Sequence, residues 1–560
     1  MRNIVEDIKN QIDSTLRTAF EKAELGCDFP ENYVVEKPRE KAHGDFSANL
    51  AMLLAKPAKK APRQVAEALV GAMNLEGTYI EKVEIAGPGF INFFLSGAQR
   101  SAILEAICTE GANYGKSDAK KGQKIMVEFV SANPTGPMHM GNARGGALGD
   151  GLASVLDWAG ADVTREFYLN DAGAQIVKLA KSLEARYQQH FQGVDAVPFP
   201  EDGYQGKDII EHAETFISET GEKYLNVSEE ERKEVLTSYV LEKNIAALHR
   251  DLGAYKINYD VWFPESDLYK SGEVEETIEQ LKTSDYTYEQ DGALWFKSTA
   301  FGLEKDDVLV RNTGIPTYFA VDIAYHRNKF LVRGFDKVIN VWGADHHGHV
   351  ARMKGAMEAL GINPDRLHVV LMQLVRLMQD GEIVRISKRT GNMITLNDLI
   401  DEIGLEPARF FFNLRQADSH LEFDLDLAKS QTNENPVFYV QYAHARICSI
   451  LRVLETEGIN VKPASEQNFA LLTAPEETEL IDKLGSFPEE ILTAADHYDP
   501  SRLTRYALDL ASNFHSFYNA CRIKGEDEAV MQARLALANA VKTVLASDLA
   551  ILGVEAPERM

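Results

Sequence analysis

The sequence predicts an α/β protein built around a doubly wound parallel sheet, with an α+β domain before it and an all-α domain after it. Three observations support this prediction. Short apolar runs alternate with helical stretches between residues 124 and 375, as in a parallel sheet with crossover helices. A Gly-Pro-Gly turn separates two apolar strands at residues 83–95. After about Pro436 the strand signals end, and only amphipathic helical patterns follow.

The first domain is predicted to span residues 1–112. It opens with a helix whose apolar residues recur every four positions and so form one stripe: Ile4, Ile8, Ile12, Leu16 and Phe20. The strand pair around the Gly-Pro-Gly turn adds a small sheet. The Lys- and Gly-rich stretch YGKSDAKKGQK then reads as a linker.

The second domain is predicted at residues 113–435 and the third at 436–560. In the second domain, the runs IMVEFV, VINVW and LHVVLMQLV fit buried parallel strands. A long polar stretch near 190–300 divides these strands and predicts an insertion. The third domain is predicted to be a helical bundle.

Composition excludes several classes of protein. The chain has 560 residues, which at about 150 residues per domain favours three or four domains. Its 4 cysteines are far apart, which argues against a disulfide framework or a cysteine zinc site. No apolar run approaches the roughly 18 residues that span a bilayer. The N-terminal stretch is acidic and has a helical period, unlike a signal peptide. We therefore expect a cytoplasmic protein that does not bind membranes.

The net charge of −26 argues against a protein that coats DNA, because phosphate neutralisation needs a basic surface. A single shaped RNA would need only a local basic stripe. Two lysine-rich runs are candidates, although such runs are usually solvated faces: Lys56, Lys59, Lys60 and Arg63, and Lys116, Lys120, Lys121 and Lys124.

Two segments have the composition of a nucleotide site. His139-Met140-Gly141-Asn142 follows the strand at 124–130 and opens a helix, where backbone N–H groups and the helix dipole favour an anion. Residues 381–392 place three cations, Arg385, Lys388 and Arg389, in a loop that could cover a triphosphate. Taken singly, the first could be a structural histidine and the second a solvated basic turn.

Together these segments resemble the HxGH and KMSK signatures of class I aminoacyl-tRNA synthetases, and the chain is similar to bacterial arginyl-tRNA synthetases. The resemblance rests on motifs along the whole chain: HGDFSANLAMLLAK, GPGFINFFL, VEFVSANPTGPMHMGNARG, YLNDAGAQ, PTYFAVDIAYH, VWGADHHGH and NENPVFYVQYAHARI. It implies a Rossmann-like catalytic domain, a tRNA-elbow-binding first domain and an anticodon-binding bundle. Two positions depart from the signatures: Asn142 replaces a histidine and Arg385 a lysine. Both keep a donor, so we expect an active enzyme.

The resemblance implies that ATP and L-arginine form arginyl-adenylate and pyrophosphate, after which arginine passes to the terminal ribose of tRNA(Arg). Mg²⁺ is expected with ATP, no tightly bound cofactor is expected, and the family is commonly monomeric. His139, Asn142 and Lys388 are the expected catalytic residues. The wider ATP set adds Gly141, Gly343, Asp345, Arg385 and Ser387. Two rival functions stay open: a nucleotidyltransferase of the HxGH type that uses no tRNA, and a non-catalytic RNA-binding relative.

A guanidinium is planar, charged and a donor of five hydrogen bonds, so its pocket needs carboxylates. By resemblance the arginine site comprises Glu128, Asn133, Tyr318, Asp322 and, less securely, Gln175. Tyr318 and Asp322 are one helical turn apart and can face one pocket. The alternative for Glu128 is a buried carboxylate paired with an internal arginine such as Arg144.

Expected tRNA contacts lie at both ends of the chain. Phe90 and Asn92 could present a ring and an amide to an unpaired base, although Phe90 could equally be a core residue. Tyr442 and Arg446, with Arg502 and Arg505, are the candidates in the bundle, where helical cations are usually only surface. No metal site is predicted. The cluster Asp345, His346, His347 and His349 lacks the i, i+4 histidine spacing that places two ligands on one helix face.

Overall fold

Within the first 112 residues, the described part of the chain forms a four-stranded antiparallel sheet and four α-helices. The computed structural model describes residues 4–38, 40–384 and 394–560. The elements are α1 (Ile4–Ala23), β1 (Val35–Glu36), β2 (Phe46–Ala48), α2 (Leu50–Ala55), α3 (Pro62–Ala72), β3 (Ile80–Ala86), β4 (Phe90–Leu95) and α4 (Ala98–Glu110). The sheet order is β1-β2-β4-β3. The α1 stripe is buried at Ile4, Ile8, Ile12 and Leu16.

The middle of the chain is organised by five parallel strands. Its elements in chain order are β5 (Lys124–Glu128), α5 (Met140–Trp158), β6 (Asp162–Leu169), α6 (Gly173–Gln192), α7 (Lys207–Thr220), α8 (Glu229–Ala254), β7 (Val261–Pro264), α9 (Glu265–Lys270), α10 (Glu273–Lys282), β8 (Thr287–Gln290), β9 (Ala293–Phe296), β10 (Asp307–Val310), α11 (Tyr318–Arg327), β11 (Lys337–Gly343), α12 (His347–Ala359) and β12 (Leu367–Met372).

The central sheet has the order β12-β11-β5-β6-β7, and every neighbouring pair is parallel. After β5 the chain first forms β6 and β7 on one side of β5, and later forms β11 and β12 on the other side. The strand order therefore reverses between β5 and β11. Ligands of such sheets bind beyond the carboxyl ends of the strands at this reversal. The predicted doubly wound α/β domain is confirmed.

The segment near 190–300, expected to be one insertion, contains two excursions from the sheet. Between β6 and β7, helices α6, α7 and α8 pack on one another around Leu183 and Leu236. Between β7 and β11, β8 to β10 form a three-stranded antiparallel sheet. The edge strand β7 of the central sheet lies between these excursions and thus within the expected insertion.

The remaining elements join the sheet to a helical C-terminal part. They are β13 (Val375–Gln379), β14 (Glu382–Ile383), α13 (Leu396–Ile403), α14 (Leu405–Phe412), β15 (Leu421–Asp424), α15 (Leu425–Lys429), α16 (Pro436–Thr456), α17 (Pro475–Gly485), α18 (Phe487–His497), α19 (Ser501–Ala520) and α20 (Glu528–Ile551). Residues 436–560, all of which the structure describes, contain no strand, as the sequence predicts. Among the described helices, none is both long and apolar enough to cross a membrane.

One fully buried arginine joins three distant parts of the fold. In α14, Arg409 donates from Nε to the carbonyl of Leu552 at 2.9 Å and from Nη1 to that of Tyr255 at 2.8 Å. Its Nη2 pairs with Asp150 of α5. The guanidinium thus connects the last helix, the end of α8 and the helix that follows β5.

Candidate active site

A cleft of about 990 Å³ lies beyond the carboxyl ends of β5 and β11, where the strand order reverses. Five of the predicted ATP residues line it together: His139, Gly141, Asn142, Gly343 and Asp345. The first three open α5, Gly343 ends β11 and Asp345 follows it. The walls of the cleft also include Val341, Met372 and Leu374, which give an apolar surface for a base.

The first turn of α5 aims hydrogen-bond donors at the cleft. His139 is the N-cap, and its Nδ1 accepts from the backbone N–H of Gly141 at 3.1 Å. The ring proton of the neutral imidazole is therefore on Nε2. Asn142 uses Oδ1 to accept from the backbone N–H of His139 at 3.0 Å, so its Nδ2 is the atom that can donate to a ligand. These donors and the helix dipole make an anion site.

The second predicted segment falls mostly outside the described residues. Arg385, Ser387 and Lys388 all lie there. The described chain resumes at Ile394, which lines the cleft, and Leu396 donates its backbone N–H to the carbonyl of Met138 at 3.0 Å.

Glu128, at the end of β5, is a buried carboxylate with two partners. Its Oε2 lies 2.5 Å from Nζ of Lys329, which is fully buried, and its Oε1 accepts from Oγ of Ser131 at 2.9 Å. The alternative interpretation of Glu128 as a buried, paired carboxylate is thus correct in kind, but the partner is Lys329 and not an arginine such as Arg144. Arg144 instead donates to backbone carbonyls, including that of Gln373 at 2.7 Å, because it lies farther along α5 beside the segment after β12.

A pair of acids, Glu265 and Asp322, lies just after β7 and one turn into α11. Glu265 is 3% exposed, and its Oε2 accepts from the hydroxyl of Tyr168 at 2.8 Å. Its Oε1 is buried and has no hydrogen-bond partner among the described residues. Burial, and then the nearby charges of Asp322 and Asp171, raise the pKa of Glu265. Burial, followed by the carboxylates of Glu265, Asp322 and Glu128, also raises the pKa of Tyr168, so three acids lie around one phenol.

Glu265 was missed by sequence reasoning because it lies inside the expected insertion. A signal was present: Glu265 directly follows the short apolar run of β7, as Glu128 ends that of β5. Acids at the ends of parallel strands meet at one edge of the sheet.

Tyr318 and Asp322 begin α11, one turn apart as predicted, beside the turn that precedes α6. The hydroxyl of Tyr318 accepts from the backbone N–H of Ala174 at 3.2 Å. At Gly173, whose φ is +79°, an added Cβ would lie 3.3 Å from the ring of Tyr318 and 3.9 Å from Oε1 of Glu265. Tyr318, Glu265 and this turn thus form one wall.

For the other two predicted arginine ligands, Gln175 and Asn133, the described contacts do not define a role in the pocket. Gln175 accepts a hydrogen bond at Oε1 from the hydroxyl of Tyr204. Asn133 is exposed in the loop between β5 and α5.

In the histidine cluster after β11, His346 lines the nucleotide cleft and His349 contacts Asp322. Among the described residues, no group of three or more His, Cys, Asp or Glu side chains is arranged to hold a metal.

The predicted tRNA contacts differ in exposure. Asn92 is only 3% exposed and its Oδ1 accepts from Oγ of Ser47 at 2.8 Å, so its amide is not displayed at the surface as expected. Asn92 pairs with Ser47 of the neighbouring strand β2, whereas Phe90, on the same face of β4, is the first residue of the strand and stays half-buried.

In the helical C-terminal part, Arg446 and Tyr442 lie on α16 beside a groove of about 570 Å³. The Arg446 guanidinium lies 4.4 Å from the ring centre of Tyr518 and 5.9 Å from that of Tyr442. Arg522 and Lys524 add positive charge to the groove. By contrast, Arg502 and Arg505 pair with Glu490 and Asp499.

Comparison with known proteins agrees with this geometry. The family model for the class I (R) tRNA synthetase catalytic domain matches residues 103–430. Those for the arginyl tRNA synthetase N terminal domain and the DALR anticodon binding domain match residues 6–95 and 440–560. A parallel sheet with a donor-lined cleft at its reversal point, together with the catalytic-domain match, defines a class I aminoacyl-tRNA synthetase.

Individual relatives narrow the class to one family. The chain is 57% identical to the arginine–tRNA ligase of Acetivibrio thermocellus and 59% identical to that of Caldanaerobacter subterraneus, in each case over 100% of both chains. A solved arginyl-tRNA synthetase structure from Campylobacter jejuni is 33% identical, has a TM-score of 0.76 and covers 83% of this chain and 100% of its own. The chain belongs to the arginyl-tRNA synthetase family.

Proposed function

We propose that the cleft and the adjoining acid-lined pocket are where this chain activates L-arginine with ATP and then transfers it to tRNA(Arg). The enzyme is a ligase of two steps. The arginine carboxylate attacks the α-phosphate of ATP, which forms arginyl-adenylate and releases pyrophosphate. The terminal ribose hydroxyl of tRNA(Arg) then takes the arginyl group and AMP leaves. The observation that carries the pocket assignment is the partnerless buried oxygen of Glu265 next to Asp322.

The nucleotide roles follow from the donors of the cleft. Nε2 of His139 and Nδ2 of Asn142 donate to phosphate oxygens as charge develops on them, and Gly141 allows close approach. Gly343 and Asp345 contact the ribose side of ATP. Lys388, with Arg385 and Ser387, neutralises the β- and γ-phosphates, since adenylate formation needs positioning and charge rather than covalent help.

Mg²⁺ would be held chiefly by the phosphates of ATP, where it would neutralise their charge. No tightly bound cofactor enters the scheme, since ATP itself supplies the leaving group.

The guanidinium of arginine lies between Glu265 and Asp322, with the hydroxyl of Tyr318 at the same wall. A cation there supplies the donor that Oε1 of Glu265 lacks. Glu128, already paired with Lys329, faces the substrate from the end of β5, and Asn133 and Gln175 reach its backbone end.

tRNA(Arg) meets both flanking domains. The groove beside Arg446, Tyr442 and Tyr518 combines cations with aromatic rings, which suits unstacked bases. Phe90 is the candidate contact at the tRNA elbow. We further propose a cytoplasmic monomer with no DNA or membrane partner. Its net charge of −26 disfavours binding to DNA.

The proposal is tested by pyrophosphate exchange and aminoacylation with each amino acid, with and without tRNA(Arg). Of the amino acids tested, we expect only arginine to support pyrophosphate exchange, and only when tRNA(Arg) is present. Exchange driven by another amino acid would refute the assignment.

Glu265→Gln tests the pocket itself. We expect a rise in the arginine KM that corresponds to about 2–4 kcal/mol, roughly 30- to 1000-fold, with little change in the ATP KM. Glu289→Gln, on the exposed face of β8, is the matched control. Equal arginine KM values for the two variants would place the guanidinium elsewhere.

A further inference from the structure

Asp322 is the last member of a chain of hydrogen-bonded side chains that begins at Ser298, just after β9 of the three-stranded sheet. Oγ of Ser298 donates to Oδ2 of Asp307 at 2.6 Å, and Oδ1 of Asp307 pairs with Nη1 of Arg352 at 3.1 Å. Nε of Arg352 donates to Nδ1 of His349 at 2.5 Å. Nε2 of His349 lies 3.0 Å from Oδ2 of Asp322.

The chemistry of the partners fixes the state of His349. A guanidinium has donors and no acceptor, so Nδ1 of His349 must be unprotonated where it faces Arg352. The ring proton is then on Nε2 and is donated to Asp322. His349 is thus a neutral donor in one tautomer.

The surroundings also fix the plane of the His349 ring. The side chain is 9% exposed, and its ring lies edge-on to Phe319 at 6.0 Å and near Trp342 at 5.2 Å. The side chain of Asp322, in contrast, is 37% exposed, so without a fixed partner it could rotate into solvent.

We propose that His349, locked by Arg352, is a positioning residue that sets the orientation of the Asp322 carboxylate for substrate arginine. It holds Oδ2 and leaves Oδ1 for the guanidinium. This inference rests on the proposed function of the pocket.

A neutral donor suits this position better than a cation. A lysine or arginine next to Asp322 would neutralise the carboxylate and compete with the guanidinium, much as Lys329 already neutralises Glu128. The imidazole fixes geometry while the negative charge of Asp322 stays available to a cationic amino acid. The Arg352 charge is in turn balanced by Asp307 rather than by the pocket.

The test compares two amides and one apolar side chain at position 349. The amide nitrogen of glutamine falls near the position of imidazole Nε2, whereas that of asparagine falls near Nδ1. We expect His349→Asn and His349→Leu to raise the arginine KM about tenfold to hundredfold, as loss of a hydrogen bond to a charged group does. His349→Gln should stay within about threefold of the parent enzyme, and the KM values for ATP and tRNA should not move in any variant.

A merely structural role would instead damage all three KM values together. The inference fails if His349→Gln is as impaired as His349→Leu, if the ATP KM rises as much as the arginine KM, or if no arginine KM changes. Loss of arginine charging by the parent enzyme would overturn the proposed function itself, which is a separate outcome.

A second pair of variants keeps the test decisive if position 349 is intolerant. Arg352→Met keeps His349 but removes the donor that fixes its tautomer, and it should raise the arginine KM several-fold. Ser298→Ala loosens the far end of the chain at Asp307 without touching the Arg352–His349 contact, so its arginine KM should match that of the parent. Equal KM values for Arg352→Met and Ser298→Ala would overturn the role of Arg352.

Discussion

Lys329 is fully buried and neutralises a carboxylate that the sequence assigns to the substrate. Its ammonium also lies 4.0 Å from the ring centre of Tyr325 and 3.2 Å from Oδ1 of Asn340. A buried ion pair contributes little net stability, but removing one partner leaves an uncompensated charge. Replacing either Glu128 or Lys329 alone is therefore expected to destabilise the protein more than replacing both.

We expect Lys329→Met to destabilise the protein by about 3–5 kcal/mol, because Glu128 is left charged and unpaired. The double variant Lys329→Met/Glu128→Gln should recover a large part of that loss. Unfolding of the two single variants and the double variant by urea measures the coupling. Strictly additive losses would show that the pair is not coupled.

For single residues, the sequence predicts which side chains are candidates for the site but not which side chains they contact. His139, Asn142 and Asp345 could be predicted because each lies within a short local motif. The partner of Glu128 could not, since Lys329 is 201 residues away in the chain. The burial of Asn92 likewise depends on its pairing with Ser47, which is 45 residues away in the chain.

Hydrogen bonds from α8, supported by α7, hold the loop between β5 and α5 in place. The loop starts with Val130 and Ser131, at φ +68° and +43°, a conformation that costs non-glycine residues roughly 1–2 kcal/mol each. Farther along, the carbonyl of Pro134 accepts from Nδ2 of Asn244 in α8 at 2.8 Å, and Oδ1 of Asn244 lies 2.9 Å from Nε2 of His212 in α7. The inserted helices thus support a strained loop that leads to His139.

Asn244→Ala should lower kcat, with smaller changes in the arginine and ATP KM values. It leaves the Pro134 carbonyl unpaired and loosens the loop without removing a substrate contact, so we expect a loss of about 3- to 10-fold, near 1 kcal/mol. Steady-state aminoacylation measures it, with the exposed neighbour Glu242→Ala as control. A kcat equal to that of Glu242→Ala would show that this hydrogen bond does not influence the reaction.

The type of the main elements could be predicted from apolar periodicity, and the split near 190–300 from polarity. The position of β7 in the central sheet could not be predicted from the sequence. It is only four residues long, and its assignment depends on pairing with β6 across the whole helical excursion. That error also hid Glu265, because the residue after an unrecognised strand is not recognised as lying at the sheet edge.

For the molecule as a whole, Asp548 is a buried acid in α20, which packs against α4 and so connects the two ends of the chain. It is fully buried, and neither oxygen has a hydrogen-bond partner among the described residues. Burial raises the pKa of Asp548 well above its usual value. Nearby Lys483 opposes this rise and Glu490 adds to it.

Because the folded pKa of Asp548 is raised, its contribution to stability is complete below the unfolded pKa near 3.8 and is lost as pH rises. Asp548→Asn cannot ionise in either state. Its thermal midpoint, measured relative to the parent at each pH, should therefore climb as pH increases from 4.5 to 8, because only the parent loses this stability. Asp527→Asn, an exposed change just before α20, should show no such trend. A flat difference for Asp548→Asn would mean that this carboxyl ionises normally in the folded protein.

The guanidinium of Arg409 has a consequence for how the molecule is made. The carboxylate of Asp150 is synthesised first, its counter-charge comes 259 residues later, and the carbonyl of Leu552 that holds this counter-charge comes 143 residues after that. The centre of the enzyme can thus be completed only after Leu552 has been synthesised. A chain truncated before Leu552 would lack this contact to Arg409, and we expect it to be exposed to chaperones and proteases.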